Sequence, residues 1–123
     1  MIARDIMTTN VITVGENLKI LEVCKVLTEK RVSGVPVVNK EGKLVGVVTE
    51  RDLLLHSPLV TSVKDIMTRE VVTVTENTPA EEISRLLLTH SIKRVPVIRG
   101  EKIVGIVSRL DILKGRVESG EYE

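Results

Sequence analysis

The chain opens on the stretch Asp5-Ile6-Met7-Thr8, and the same four residues return sixty positions later as Asp65-Ile66-Met67-Thr68. Between residues 5 and 39, 14 of 35 residues are identical to those sixty positions later. The offset then becomes 59, and the segment 43–54 matches 102–113 at 6 of 12 positions. Because such a period indicates a structural unit that occurs twice, we expect one module of repeat 1 (about 1–59) and repeat 2 (about 60–115), with a tail over 116–123.

The hydrophobic pattern of each repeat predicts the order strand, helix, strand, strand, helix. In repeat 1 the β-branched run Thr8–Val14 predicts an extended segment, and apolar residues at helical spacing follow over Ile20–Leu27. Two almost wholly apolar runs come next, Val35–Val38 and Leu44–Val48, joined by a polar linker with a glycine that is typical of a hairpin. A second helix begins near Glu50.

Strands that are apolar throughout must be covered on both faces, and one repeat is too short to cover its own sheet. We therefore expect an α+β fold in which two β-α-β-β-α repeats pack sheet to sheet about a pseudo-twofold axis, with ligand clefts between them.

In repeat 2 the first helix has a start signal: Thr78 is a candidate N-cap, Pro79 takes the first helical position and Glu81 completes a capping box.

The composition limits the possible functions. The 123 residues include 18 Lys and Arg against 17 Asp and Glu, so no net field attracts a phosphate backbone. Phe and Trp are absent and Tyr122 is the one aromatic residue, which removes the stacking platforms of single-strand nucleic-acid binders. Cys24 is the single cysteine, as is typical of the reducing cytoplasm, and charges interrupt every long apolar run. We expect a cytoplasmic protein that binds neither nucleic acid nor membrane.

One seven-residue pattern ends the last strand of each repeat. It reads Gly46-Val47-Val48-Thr49-Glu50-Arg51-Asp52 in repeat 1 and Gly105-Ile106-Val107-Ser108-Arg109-Leu110-Asp111 in repeat 2. A glycine lets a ligand approach the backbone, a hydroxyl at a helix start adjoins free N–H groups that attract phosphate, and an aspartate one turn on can accept hydrogen bonds from two ribose hydroxyls. The pattern therefore indicates a site for a nucleoside phosphate.

The same residues also have a purely structural interpretation. Thr49 with Asp52, and Ser108 with Asp111, have the spacing of capping boxes, with a hydroxyl at the N-cap and an acid three residues later. Capping alone explains both residue types, and a duplication copies a helix cap as faithfully as a binding site. The two interpretations both stay open at this point.

The whole pattern resembles a tandem cystathionine β-synthase (CBS) domain pair, also called a Bateman module. The resemblance covers about residues 1–115 and rests on the Asp-Ile-Met-Thr openings, the Val-Pro-Val strands and the two Gly-to-Asp segments in the same order. It implies adenosyl ligands such as AMP, ADP, ATP or S-adenosylmethionine in up to two clefts, with no required cofactor. It also implies a regulatory module, a sensor of energy or metabolite state that acts on a partner protein.

Carried over residue by residue, the family pattern names the candidate site residues. Asp52 and Asp111 would contact ribose hydroxyls, and Thr49 and Ser108 would lie near phosphate. The segments after the opening motif and before the Val-Pro-Val strand would line the adenine, which adds Ile12, Val32, Ser33, Gly34, Val72, Ile92, Lys93 and Arg94. Because Phe and Trp are absent, aliphatic side chains rather than aromatic rings would hold the base.

The two candidate sites differ in charge. Repeat 2 has three basic residues around its motif, which are Lys93, Arg94 and Arg109. Repeat 1 has Ser33, Gly34 and Glu50 at the matching positions, with Arg51 as its one additional basic residue. We therefore predict that the site at Asp111 prefers phosphorylated ligands; the alternative is a solvated basic face with no ligand.

No pattern for catalysis or metal binding occurs in the sequence. His56 and His90 have no acid or cysteine at a recognisable catalytic spacing. CBS pairs also occur within inosine monophosphate dehydrogenase, but its catalytic barrel would need about 200 further residues. We expect a non-enzyme without a metal site, and a homodimer, because the consecutive leucines 86–88 exceed what one module can bury. A purely structural dimerisation module with empty clefts is the alternative function.

Overall fold

A computed structural model describes residues 1–56 and 62–120 of the chain. In chain order the elements are α1 (Ala3–Ile6), β1 (Val14–Gly15), α2 (Ile20–Lys30), β2 (Gly34–Val38), β3 (Leu44–Thr49), α3 (Glu50–Leu55), a 3-10 turn (Val63–Asp65), α4 (Ala80–Thr89), β4 (Arg94–Arg99), β5 (Lys102–Ser108) and α5 (Arg109–Glu118). The predicted α+β class and the twofold repetition of elements are confirmed. In repeat 2 the first strand is reduced to a single bridge between Val74 and Val97.

Residues 12–71 include a compact unit built on a three-stranded sheet. β1 runs parallel to β2, and β2 pairs antiparallel with β3, with Val37 opposite Gly46. Asn39 closes the predicted hairpin, because its Oδ1 accepts hydrogen bonds from the backbone N–H groups of Glu41 (3.0 Å) and Lys43 (2.9 Å). The apolar face of α2 packs into the core of this unit through Ile20, Val23 and Leu27.

Within the described residues, 1–11 and 72–120 form a second compact unit. β4 and β5 pair antiparallel over their whole length, with Val97 opposite Gly105. The buried core of this unit combines residues of both strands with the apolar faces of α4 and α5, namely Ile83, Leu87, Val95, Val97, Val107 and Ile112. As in the first unit, the Val-Pro-Val segment of the hairpin is fully buried.

The opening segment of each repeat belongs to the compact unit of the other repeat. Residues 1–11 group with repeat 2, and residues 62–71 group with repeat 1. Thr8 exchanges two backbone hydrogen bonds with Ile106 of β5, and Thr68 exchanges the same two with Val47 of β3. The compact units therefore differ from the two repeats that are defined by sequence identity. The boundary expected between the repeats, at residues 59–60, lies outside the described residues.

Two glycines make room for these opening segments. A Cβ on Gly46 would lie 2.7 Å from Sδ of Met67 and 2.9 Å from the carbonyl oxygen of Thr68. A Cβ on Gly105 would lie 2.5 Å from Sδ of Met7. The space beside both glycines is therefore filled by the methionine of the opening motif, which accounts for the two glycines without a ligand.

The start of α4 differs from the predicted one. The helix begins at Ala80 with Pro79 as its N-cap, and no side chain caps it. The hydroxyl oxygen of Thr78 instead accepts a hydrogen bond from the backbone N–H of Thr75 (3.0 Å) and closes a turn before the helix. The predicted capping box of Thr78 and Glu81 is therefore wrong, because the hydroxyl has a nearer backbone partner.

The end of α5 also differs from the expected one. The helix continues through Glu118, although we expected repeat 2 to end at about 115. Gly115 is buried, and a Cβ there would lie 2.8 Å from both Ile6 Cγ2 and Met1 Sδ. The glycine thus lets the last turns of α5 pack against the opening segment, which supports helical structure where a frayed tail was expected. Residues 121–123 lie outside the described part of the chain.

An ion-pair cluster connects the opening segment 1–11 to the rest of the second unit. Glu76 accepts hydrogen bonds from Nε (2.9 Å) and Nη2 (3.0 Å) of Arg99, and Nε of Arg4 lies 3.7 Å from its carboxylate. Nη2 of Arg4 also donates to Oδ1 of Asn77 (2.9 Å). Hydrogen bonding to Arg99 lowers the pKa of the Glu76 carboxyl below its ordinary value, and the charge of Arg4 adds to this shift.

The helices are short and carry exposed apolar residues. α2 has 11 residues and α4 and α5 have 10 each, and none of the helices in the described ranges is long and apolar enough to cross a membrane. Their exposed large apolar residues are Leu21, Leu54, Leu55, Leu88, Leu110, Leu113 and Val117. The leucine run 86–88 is split by the helix, with Leu87 buried and Leu88 exposed.

The glycine contacts generate a stability prediction. We expect Gly46→Ala to lower the free energy of unfolding by about 1–3 kcal/mol, because the new methyl group meets both a side chain and a backbone oxygen. Gly15→Ala is the matched control, since a Cβ there has nothing within 4 Å. Urea unfolding followed by circular dichroism measures both. Equal stability of the two variants would contradict the proposed packing of Met67 against Gly46.

Candidate functional site

Each candidate site lies where a strand passes directly into a helix. β3 ends at Thr49 and α3 begins at the next residue, while β5 ends at Ser108 and α5 begins at the next residue. Thr49 and Ser108 both have extended backbone and act as N-caps. In both helices the hydroxyl accepts a hydrogen bond from the aspartate N–H, and the aspartate carboxylate accepts one from the N-cap N–H. The capping interpretation is therefore confirmed for both pairs.

The Asp52 carboxylate has several donors around it. Its Oδ2 accepts hydrogen bonds from the backbone N–H (2.9 Å) and from the hydroxyl (3.1 Å) of Thr49. Its Oδ1 accepts one from the hydroxyl of Thr68 (3.4 Å). The Asp52 N–H in turn donates to Thr49 Oγ1 (3.3 Å). Both oxygens of this half-buried carboxylate are thus in contact with protein donors.

The Asp111 carboxylate is less engaged. Its Oδ2 accepts a hydrogen bond from the Ser108 N–H (2.9 Å), and its own N–H donates to Ser108 Oγ (3.1 Å). Over residues 1–56 and 62–120, no hydrogen bond to Oδ1 of Asp111 and none donated by the Ser108 hydroxyl occurs. This site therefore keeps a free carboxylate oxygen and a free hydroxyl proton beside the N-terminus of α5.

The structure brings Ser33 and Gly34 next to the first motif. The carbonyl oxygen of Ser33 accepts a hydrogen bond from the N–H of Glu50 (2.9 Å), and Gly34 pairs with Thr49 across the sheet. A Cβ on Gly34 would lie 3.0 Å from the Val48 carbonyl oxygen and 3.2 Å from Cγ2 of Thr49. A side chain at residue 34 would therefore contact the end of β3 next to the start of α3.

The matching contacts in repeat 2 involve the basic residues. The carbonyl oxygen of Lys93 accepts a hydrogen bond from the N–H of Arg109 (3.1 Å), and Arg94 pairs with Ser108 across β4 and β5. Nε of Arg109 donates to the carbonyl oxygen of Ile92 (3.1 Å), which holds the guanidinium beside the strand start. The backbone of Lys93 and Arg94 thus adjoins the first turn of α5, on which Arg109 lies, and Lys93 and Arg109 are exposed to solvent.

The four aliphatic candidates are all half-buried. Ile12 and Val32 pack against the core of the first unit, and Val72 and Ile92 pack against that of the second. Ile92 is joined to the Asp111 motif through its carbonyl oxygen. That these side chains line an adenine ring stays a prediction.

The described part of the chain contains no group of three or more His, Cys, Asp or Glu residues that could hold a metal ion. His56 and His90 are exposed at helix ends, and Cys24 is half-buried on α2. None of the three contacts the Asp52 or Asp111 motif through a hydrogen bond in residues 1–56 and 62–120.

The protein-family model of the CBS domain matches residues 3–58 and 63–118. The chain belongs to the CBS domain family. Both matches span a complete helix-start motif, so each CBS repeat of the chain carries one candidate site. The predicted tandem CBS pair is thereby confirmed.

Similar proteins occur both as free CBS proteins and as parts of enzymes. The CBS domain-containing protein YhcV of Bacillus subtilis is 34% identical over 114 residues, which cover 89% of this chain and 81% of YhcV. Inosine-5'-monophosphate dehydrogenase of Methanocaldococcus jannaschii is 36% identical over 115 residues, which cover 93% of this chain but 23% of the dehydrogenase. The chain corresponds to the CBS part of that enzyme alone.

Two solved CBS structures resemble this one over nearly their whole length. CBSX2 of Arabidopsis thaliana in complex with AMP has a TM-score of 0.89 and 30% identity, covering 97% of this chain and 98% of CBSX2. The CBS domain pair of protein MJ0100 in complex with 5'-methylthioadenosine and S-adenosylmethionine has a TM-score of 0.84 and 31% identity, covering 98% of each chain. Both relatives were therefore solved with adenosyl compounds.

The sequence patterns did not identify one residue of the first CBS site. Thr68 belongs to the opening motif of repeat 2, yet its hydroxyl donates to Asp52 of repeat 1. The sequence shows that Thr8 and Thr68 are equivalent residues of the two repeats. It does not show that Thr68 pairs with Val47 of β3, because this pairing joins distant parts of the chain.

Proposed function

We propose that this CBS pair is a regulatory module that binds an adenosyl compound at the starts of α3 and α5, with Asp52 and Asp111 accepting hydrogen bonds from ribose hydroxyls. One observation carries the proposal: a half-buried aspartate ends the same strand-to-helix motif in both repeats, and at Asp111 a carboxylate oxygen is free. Relatives of 30% and 31% identity were solved with AMP, and with 5'-methylthioadenosine and S-adenosylmethionine. AMP, ADP, ATP and S-adenosylmethionine are the candidate ligands.

Capping and ligand binding are compatible at the same aspartate. The cap uses one oxygen of Asp111, and the other can face a ligand. The Ser108 hydroxyl accepts from the helix and keeps its proton for a phosphate oxygen. The dipole of α5 also favours negative charge beside its first turn. Thr49 and Ser108 are therefore proposed as phosphate neighbours, and the half-buried Ile12, Val32, Val72 and Ile92 as contacts of the base.

The basic residues of repeat 2 support a preference of the Asp111 site for phosphorylated ligands. Arg109 is the fifth residue of the seven-residue motif, at the place that Glu50 occupies in repeat 1. Its Nε bond to Ile92 fixes the guanidinium beside the start of β4, next to Lys93 and Arg94. A negative phosphate gains from this positive group, whereas it is repelled by the Glu50 carboxylate at the other site.

Ligand binding regulates a partner only if two conformations of the module bind the ligand with different affinity. The proposal therefore includes a partner protein that distinguishes the two conformations, in the cytoplasm where adenosyl compounds are abundant. A catalytic role is not part of the proposal, since the dehydrogenase relative shares its CBS part alone with this chain.

The alternative function is a purely structural dimerisation module. The complete capping boxes of both repeats favour it, because they explain Asp52 and Asp111 without a ligand. Isothermal titration calorimetry with AMP, ATP and S-adenosylmethionine separates the two functions. The absence of binding heat for all three compounds, with none retained from purification, would support the structural module.

Two variants of Asp111 separate its cap from its ligand contact. Asp111→Asn keeps an oxygen for the Ser108 N–H but turns the second acceptor into a donor. We expect it to retain the melting temperature and to lose about 10- to 100-fold in affinity for AMP at this site, as for a lost charge-assisted hydrogen bond. Asp111→Ala should lose both affinity and stability. Wild-type affinity in Asp111→Asn would contradict the ribose contact.

The phosphate preference is tested at Arg109. We expect Arg109→Gln to reduce the affinity for AMP by about 3- to 10-fold while the affinity for adenosine stays the same, since an exposed ion pair contributes about 1 kcal/mol. Lys114→Gln is the control, because it removes the same charge from an exposed position on the same helix. An equal loss for AMP and adenosine would argue against a phosphate contact.

We also propose that two copies form a homodimer through the exposed stripe Leu110, Leu113 and Val117 on α5. These residues are spaced as one helical face and are 74%, 46% and 65% exposed, while Ile112 and Gly115 of the same helix are buried. Helix α3 of repeat 1 likewise exposes Leu54 and Leu55. A second copy offers matching apolar faces in return, as an isologous interface requires.

Sedimentation velocity at micromolar concentration tests the dimer. We expect the wild type to sediment as a dimer and the double variant Leu110→Glu, Leu113→Glu as a monomer, because the charges cannot be buried in an apolar interface. Leu88→Glu on α4 is the control, since Leu88 is 70% exposed and lies outside the stripe. A monomeric wild type, or a dimer that survives the double variant, would contradict this interface.

A further inference from the structure

The two aspartates differ in how many of their acceptor positions the protein already uses. A carboxylate has about four lone-pair positions. Asp52 accepts three hydrogen bonds from protein groups, two from Thr49 and one from Thr68. From the described part of the chain Asp111 accepts one, from the Ser108 N–H. Because two ribose hydroxyls need two positions, Asp111 can accept both at once, whereas Asp52 must first release a protein donor.

Thr68 is the donor of Asp52 that a ligand can replace. Its contact of 3.4 Å is the longest of the three, and its side chain is exposed to solvent. The two bonds from Thr49 are shorter, and one of them is part of the cap of α3. A ligand that replaced Thr49 would disturb the helix start, whereas one that replaces Thr68 disturbs a single side chain.

The equivalent threonine of the other repeat isolates this difference. Thr8 makes the same two backbone hydrogen bonds to β5 that Thr68 makes to β3, with lengths of 2.8 and 2.9 Å in both cases. Within residues 1–56 and 62–120, however, the Thr8 hydroxyl makes no hydrogen bond to Asp111. The backbone pairing of the two threonines is therefore alike, and the hydrogen bond from the Thr68 hydroxyl to Asp52 distinguishes the sites.

We propose that the Thr68 hydroxyl masks the site at Asp52, so that an adenosyl ligand binds there more weakly than at Asp111 and only by displacing Thr68. This inference rests on the proposed function of the two aspartates. It makes Thr68 a residue that sets the order in which the sites fill, with Asp111 first. It also links occupancy of the Asp52 site to the opening segment 62–71, because that segment carries the displaced side chain.

Calorimetric titration with AMP measures the masking. Every variant carries Asp111→Asn, so that Asp52 provides the one intact site. We expect Thr68→Val in this background to bind AMP about 3- to 10-fold more tightly than the background, because one competing hydrogen bond is removed. Valine has the shape of threonine and keeps the strand pairing. Thr68→Ser, which keeps the hydroxyl, should bind AMP like the background.

The matched control uses the other site. In an Asp52→Asn background, Thr8→Val should leave the affinity for AMP at Asp111 unchanged. An unchanged or weaker affinity at Asp52 in Thr68→Val would overturn the masking, since Thr68 would then be neutral or itself a ligand contact. Failure of the proposed function gives a different result, because the wild-type protein would then bind AMP at neither site.

Discussion

Each compact unit depends on one close contact, in which the methionine of an opening motif occupies the space that a side chain would take on a strand glycine. Met67 fills this space beside Gly46, and Met7 fills it beside Gly105. The contact joins the opening segment of one repeat to the last strand of the other repeat's sheet. It also fixes the next residue, Thr68 or Thr8, in backbone pairing with that strand, close to the helix start at which the candidate site lies.

The helix starts show how one residue pattern can serve two purposes. A strand that ends at a hydroxyl residue needs a side chain to satisfy the free N–H groups of the following helix, and the aspartate three residues later completes the box. The box orients the carboxylate and uses one of its oxygens. Structural capping therefore holds the second oxygen in place, which is what a ligand contact with two ribose hydroxyls requires.

The duplication preserved the backbone of the two sites and changed the groups around them. The first site has a glycine, an acidic residue and two threonine hydroxyls directed at its carboxylate. The second has basic residues at the matching positions and a carboxylate with one protein donor. Since both sites share the same strand-to-helix geometry, what distinguishes them is the side chains around that geometry.

The sequence by itself determined the repeats, the strand and helix order, the hairpins and the residues of both capping boxes, because these depend on local periodicity and on spacings of a few residues. The resemblance to the family predicted that Ser33 and Gly34 of repeat 1, and Lys93 and Arg94 of repeat 2, adjoin the motif. The pairing of the two strands of each hairpin brings them there. The sequence assigned Thr78 to a cap, which was wrong because the hydroxyl accepts from Thr75 instead. It gave no indication that Met67 fills the space beside Gly46. Tertiary structure alone decided which opening segment pairs with which strand, and hence that Thr68 reaches Asp52, since that contact joins segments that no local pattern relates.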